Sequence, residues 1–247
     1  MNKRIVKLAW DTDFFSIPIG RITVPCLDPE TVSAVFQEAD REQVRCLYFE
    51  ADPNDLTTVM TVEEFGFHLV DVRVVLEYPF ENRPAPSLWY PVSPELVINP
   101  ATASDLPRLE EIAIEVGQFS RYTFDNHFGP GEEGRLYRTW IRNSVDGFAD
   151  AVLVARWGDR TGQPIGLITC NMHDQVGDIG LAGVHHDYRQ KGVGTGLVQA
   201  ALNWSRGQNN NKMQVVTQAR NVPAQRLYQQ MGFFTRSMTL YYHKWFD

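Results

Sequence analysis

The chain predicts an α/β fold of the α+β kind: a mixed central sheet flanked by helices. Three observations carry this expectation. Apolar runs of strand length alternate with segments of helical period along the whole chain. A stretch dense in proline divides the 247 residues into two parts. In the second part a glycine-rich loop joins a strand to an amphipathic helix. The length suits one large domain or two small ones.

The first part reads as follows. Trp10-Asp11-Thr12-Asp13-Phe14-Phe15 is expected to be a polar, aromatic turn, and Pro18–Val24 a short strand. Asp28 caps a helix with Pro29 at its first position, and Val32, Val35, Phe36 and Ala39 form one apolar face. Val44–Phe49 is a strand. Asp52-Pro53-Asn54-Asp55 opens a second helix with Leu56, Val59 and Met60 expected inward. Gly66 ends it, and Leu69–Tyr78 is a long strand. Pro79, Pro84, Pro86, Pro91 and Pro94 block both helix and central strand. Domains are therefore expected at 1–80 and 97–247, with 81–96 as linker.

In the second part, Thr102-Ala103-Ser104-Asp105 begins a helix whose apolar side is Leu109, Ile112, Ala113 and Val116. A polar, aromatic stretch from Phe119 to Gly134 precedes a helix around Arg135–Val145. Strands follow at Ala151–Arg156, Pro164–Met172 and Asp178–Val184. The glycine loop, a helix, a strand at Met213–Thr217, another helix and a strand at Phe234–Lys244 complete the pattern. Glu64-Phe65-Gly66-Phe67 echoes Gln230-Met231-Gly232-Phe233, each before an apolar strand. Duplication and a common helix-ending device both account for the echo.

With 23 Lys+Arg against 30 Asp+Glu, the formal charge is 23 − 30 = −7. That balance gives no broad footprint for nucleic acid or an anionic membrane. No apolar run reaches the roughly 18 residues of a bilayer span. The basic start, Met1-Asn2-Lys3-Arg4-Ile5, lacks a signal peptide's apolar core. Cys26, Cys46 and Cys170 are odd in number and widely spaced, forming neither a disulfide framework nor a metal knuckle. The expectation is a cytoplasmic protein with no metal.

Val184-His185-His186-Asp187-Tyr188-Arg189-Gln190-Lys191-Gly192-Val193-Gly194-Thr195-Gly196 is the sharpest segment. It leaves a strand and opens a helix with an inward stripe of Val193, Leu197, Ala201 and Trp204. Glycines at 192, 194 and 196 let the backbone approach a ligand, and N–H groups at a helix start favour an anion. A phosphate or pyrophosphate is the expected guest. The Walker order and the dinucleotide fingerprint are both absent.

The spacing Arg189-x-x-Gly192-x-Gly194 resembles the acetyl-coenzyme A signature of the GNAT N-acetyltransferase superfamily. Downstream, Asn221-Val222-Pro223-Ala224-Gln225-Arg226-Leu227-Tyr228-Gln229-Gln230-Met231-Gly232-Phe233 resembles that superfamily's N-x-x-A-x-x-L-Y-x-x-x-G-F motif. The resemblance covers about 97–247. It implies a GNAT fold, with residues 1–80 as a degenerate GNAT-like half, and acetyl-coenzyme A as cosubstrate. It implies that the amides of Gln190, Lys191, Gly192, Val193, Gly194 and Thr195, with Arg189 and Gly196 beside them, hold the pyrophosphate. Leu181, Ala182, Gly183 and Val184 would pair with the pantetheine arm, and Asn221 would bond to it. Tyr228 would protonate the leaving thiolate. A core tyrosine is the competing reading, since Ala224, Leu227, Tyr228 and Met231 share a helix face.

The glutamate that serves some members as general base on the strand of Leu181 has no counterpart among Ile179, Gly180, Leu181, Ala182 and Gly183. Asp71 is a candidate base if it faces the cleft, the alternative being an exposed strand carboxylate. His185 and His186 could serve a base or phosphate role, or be solvated. With His173 they lack metal-ligand spacing.

Within the superfamily the chain most resembles bacterial TDP-fucosamine acetyltransferase-like proteins. The shared pieces are Trp10-Asp11-x-x-Phe14-Phe15, Gly66-Phe67, Gly134-Arg135-Leu136-Tyr137, Trp140-Ile141-Arg142-Asn143 and Val216-Thr217-Gln218. That implies a sugar amine on a nucleotide diphosphate as the small-molecule acceptor. Arg121 and Arg135 would answer its phosphates, with Arg138 nearby, and Tyr122 and Phe124 would stack on base or sugar. A packed aromatic loop accounts for the same segment. Two other readings stay open: acetylation of another amine (a peptide amino terminus, polyamine or antibiotic) and a non-catalytic acyl-coenzyme A sensor. A homodimer is left open as the assembly.

Overall fold

The computed structural model describes residues 3–81, 93–159 and 161–246. The chain separates into two compact units, Met1–Val74 with Ser237–Asp247, and Val75–Arg236. The sequence boundary was expected at residue 80; the observed change of unit falls within a strand, and the last residues count with the first unit. Most of the proline-rich segment, 82–92, lies outside the described residues.

In the first unit the elements run β1 (Ile5–Lys7), α1 (Ala9–Phe15), β2 (Ile19–Ile22), α2 (Pro29–Arg41), β3 (Cys46–Ala51), α3 (Leu56–Glu64) and the start of β4 (His68–Pro79). The end of a strand from the far end of the sequence, Phe234–Trp245, joins them and pairs antiparallel with β3, from Leu240 opposite Ala51 to Trp245 opposite Cys46. β1 is antiparallel to β2, and β2 is parallel to β3. Asp28 caps α2 as its sequence suggests, its Oδ1 accepting from the Thr31 amide at 2.7 Å. Val32, Val35 and Ala39 then pack on Leu47, Phe49 and Tyr242.

Three expectations are corrected here. Trp10–Phe15 is helix, closed by Ser16 in the left-handed region at φ 55°, because the stacked Trp10 and Phe14 lie four residues apart as a helix requires. On α3, Leu56 and Met60 are exposed; the inward positions are Thr58, Thr61 and Val62. Thr58 is tolerated inside because its hydroxyl donates to Asp55 and accepts from the Leu27 amide. Asp71 is buried rather than an exposed strand carboxylate, and its Oδ1 accepts from the Val72 amide at 2.9 Å.

The second unit holds the end of β4, then β5 (Leu96–Pro100), α4 (Leu106–Gly117), α5 (Arg121–Phe124), α6 (Glu132–Asn143), β6 (Ala151–Trp157), β7 (Gly166–His173), β8 (Val176–Val184), α7 (Val193–Gly207), β9 (Lys212–Gln218), α8 (Val222–Gln230) and the first residues of β10 (Phe234–Trp245). The sheet order is β9-β8-β7-β6-β5, antiparallel from β5 to β8 and parallel between β8 and β9. β5 was not anticipated; its Pro100 fits the sheet edge that it occupies. Arg156 on β6 fixes the start of α4. Its guanidinium lies 2.5 Å from Asp105, the two side chains both buried, and it also donates to Asn99 and to the Gly162 carbonyl. Leu109, Ile112 and Ala113 bury the inner face of α4.

Candidate active site

β8 and β9 pair only from Val176/Lys212 to Ile179/Val215, although they continue to Val184 and Gln218. The strands therefore part beyond Ile179. A bulge lies at the parting point. Ile168 pairs with Ala182 and Cys170 with Ile179, so Gly180 and Leu181 together oppose Thr169. The Thr169 hydroxyl oxygen accepts from the Leu181 amide at 2.8 Å, which satisfies one group the bulge takes out of the ladder.

A cleft of about 600 Å³ opens from this parting. Ala182, Gly183 and Val184 of β8 form one wall. Asn221, Ala224, Leu227 and Tyr228 form another. The mouth is the glycine loop, with Arg189, Gln190, Gly192, Gly194 and Thr195 lining it at the start of α7. Gly192 caps α7 at φ +79°, a conformation that strains any residue with a Cβ. Gly183 is small because α4 lies against it: a Cβ there would come within 2.6 Å of Val116. Free backbone amides at the end of a fifteen-residue helix make the mouth an anion site.

The structure brings together most of the coenzyme residues expected from the sequence. Leu181, Lys191, Val193 and Gly196 do not line the cleft. Leu181 and Val193 are core, Gly196 is buried in α7, and the Lys191 ammonium sits 5.3 Å over the Tyr188 ring. Asn221 lines the cleft while its side-chain oxygen accepts from the Ala224 amide and caps α8. Glu115, at the end of α4, is a lining residue that sequence reasoning missed. Its Oε2 accepts from Arg189 at 2.6 Å, and Oε1 lies 2.7 Å from His186 Nδ1. Nothing local in the sequence links positions more than seventy residues apart.

Glu115, His185 and His186 are also the one group among the described residues with metal-ligand geometry. Arg189 already holds the carboxylate, and His185, buried rather than solvated, uses Nδ1 to accept from the Asp187 amide. The set works as an ion-paired splint for the loop.

Tyr228 is 4% exposed, lines the cleft, and packs its ring 5.5 Å from Phe233. Among the described residues its hydroxyl has no hydrogen-bond partner. Burial pushes the phenol well above its ordinary value, and the nearby Asp178 and Cys170 add to this. The group stays protonated over any working pH.

The residues that the sequence suggested for an acceptor lie elsewhere in this unit. Tyr122 is buried, with the Arg121 guanidinium 4.4 Å over its ring and bonded to its hydroxyl. Phe124 is half exposed beneath Arg220, 3.7 Å from its ring centre. The expected arginine cluster is partly spent on carboxylates, for Arg135 pairs with Glu132 and Arg138 with Glu110. None of Arg121, Tyr122, Phe124 and Arg135 lines the cleft.

Comparison with known proteins places this geometry. The acetyltransferase (GNAT) family profile matches residues 118–233. A dTDP-fucosamine acetyltransferase of Escherichia coli O6:H1 is 30% identical over 236 residues, 92% of each chain. The spore coat polysaccharide biosynthesis protein SpsD of Bacillus subtilis is 27% identical over 65% of this chain and 54% of its own. In fold, a GCN5-related N-acetyltransferase from Sphaerobacter thermophilus matches with a TM-score of 0.66 at 15% identity, over 98% of this chain and 76% of its own.

Proposed function

The chain belongs to the GNAT acetyltransferase family, and on that premise we propose that it moves the acetyl group of acetyl-coenzyme A to the amine of a nucleotide-linked amino sugar of the TDP-4-amino-4,6-dideoxyhexose type. The observation that carries this is the parted β8–β9 cleft with an anion-binding loop at its mouth and Tyr228 in its wall. The 30% identical relative, named for a dTDP-linked amino sugar, supports the acceptor class.

In this reading the loop amides from Gln190 to Thr195 hold the pyrophosphate. The arm runs inward past Val184 and Ala182 and takes the place of a neighbouring strand, so that its amides meet the backbone of β8. Its acyl end reaches the bulge at Gly180–Leu181. Tyr228 then gives its proton to the departing sulfur. Arg121 and the aromatic segment serve the acceptor's diphosphate and base. The amino-terminal unit is a degenerate second copy that binds no coenzyme, since it carries no R-x-x-G-x-G.

The test is product identity. With TDP-4-amino-4,6-dideoxyhexoses and acetyl-coenzyme A, NMR should locate the acetyl group on the sugar nitrogen, with one thiol released per amide. Acetyl on a hydroxyl, or no product with any nucleotide-linked amine, contradicts the proposal.

A further inference from the structure

Two adjacent histidines follow the end of β8, and neither lines the cleft. His185 is buried and His186 exposed. The end of α4 brings Glu115 to both. Glu115 Oε1 lies 2.7 Å from His186 Nδ1 and 4.0 Å from His185 Nε2. One ligand atom from each of the three residues lies within 4.8 Å of the others. Tetrahedral zinc, with bonds of about 2.0–2.1 Å, sets its ligands about 3.4 Å apart. The two measured separations fall on either side of that value, so small side-chain rotations bring all three onto one ion.

The outer nitrogens of the same rings meet a second carboxylate. Asp187 Oδ2 lies 3.7 Å from His185 Nδ1, and Oδ1 lies 3.4 Å from His186 Nε2. Metal-ligating histidines give their other N–H to a carboxylate, which fixes the tautomer and raises ligand basicity. Here one aspartate faces both outer nitrogens while one glutamate faces both inner ones. The bond from the Asp187 amide to His185 Nδ1 is long, at 3.3 Å, and is given up when that nitrogen carries the proton. Arg189 bonds Oε2 of Glu115, which leaves Oε1 for an ion. Glu115 and Asp187 against Arg189 leave one net negative charge on the cluster with neutral histidines, which favours a cation.

We propose that Glu115 Oε1, His185 Nε2 and His186 Nδ1 bind a first-row transition dication of the zinc class, with a fourth position open to water. Two imidazoles and a carboxylate suit such an ion, whereas magnesium and calcium prefer oxygen alone. Both rings carry their proton on the outer nitrogen, toward Asp187. The site goes beyond the acetyl-transfer reading and needs neither that reading nor its acceptor. The bound ion ties the exit of β8 to the end of α4 beside Arg189, and so braces the chain where it enters the glycine loop.

The test adds Zn2+ alone to the full chain, stripped of metal and free of any histidine tag. Calorimetry should give one ion per chain with a dissociation constant in about the micromolar range or tighter, and Mg2+ should give no binding. Tm should rise with Zn2+ by mass action. His186→Ala, at an exposed position, should weaken binding about tenfold or more and remove the rise in Tm. Asp187→Ala takes away no ligand, yet it should also weaken binding, since losing such an outer carboxylate costs about 10–100-fold. Cys26 is an exposed thiol and the competing zinc ligand. Affinity that survives in both His186→Ala and Glu115→Gln, or that disappears in Cys26→Ser, overturns the site. So does Zn2+ that binds the wild type only at millimolar concentration.

Discussion

The Arg189 guanidinium lies 2.6 Å from Glu115 and, through Nε, donates to the Val184 carbonyl at 3.0 Å. The arginine that identifies the loop therefore works at least partly as a splint, tying the strand exit to α4 and setting the angle at which the loop amides face the cleft. The Arg189 side chain is 46% exposed and that of Glu115 26%, so solvent screens the pair and it adds little to global stability. Its effect belongs in ligand affinity.

Arg189→Lys keeps the charge and loses the forked geometry. Acetyl-coenzyme A should bind about tenfold more weakly, or about 1.4 kcal/mol, with kcat at saturation little changed. Calorimetry and saturation kinetics check both halves. Unchanged affinity would mean that the loop holds its shape without the splint.

Tyr228→Phe removes one hydroxyl from a residue whose ring is packed against Phe233. Turnover should fall by about 10²-fold or more, while the dissociation constants of both substrates hold. Measured under conditions where chemistry limits the rate, an unchanged kcat returns Tyr228 to the core.

Arg156→Ala leaves Asp105 buried without its cation. Loss of one partner of such a pair costs about 3–5 kcal/mol, so Tm should drop markedly at neutral pH. Desolvation pushes the Asp105 carboxyl up, but hydrogen bonds from Thr102 and Arg156 outweigh it and hold the group below its ordinary value. A lowered carboxylate gives stability that is present above its unfolded pKa and is lost as pH falls through the folded one. The gap between wild type and variant should therefore narrow below about pH 4. A pH-independent gap in thermal melts would show that packing of the arginine stem, not the charge pair, is what matters.

Legibility of the sequence follows the range of each signal. The Asp28 cap, the Gly192 turn and the strands around the loop are local devices and were readable. Trp10–Phe15 was misread because its polar and aromatic residues resemble a turn until Trp10 and Phe14 are seen to stack. The inward face of α3 departs from the sequence reading because threonines replace its expected apolar residues, Thr58 being satisfied by Asp55 and Leu27, partners that periodicity does not register. At the site, the loop and Tyr228 were visible as motifs. Glu115 was not, since only folding of α4 against β8 brings it to Arg189.

The most direct measurement of the central proposal compares kcat/KM for a TDP-linked amino sugar with that for the same amino sugar freed of its nucleotide, in the wild type and in Arg121→Ala. A small amine offers little binding surface, so most transition-state affinity should come from the nucleotide and diphosphate. The account predicts an advantage for the nucleotide-linked acceptor of about 10²-fold or more, equivalent to about 2.7 kcal/mol, reduced mainly through KM when Arg121 is removed. A free amino sugar, polyamine or peptide amino terminus reacting faster than every nucleotide-linked amine would contradict it.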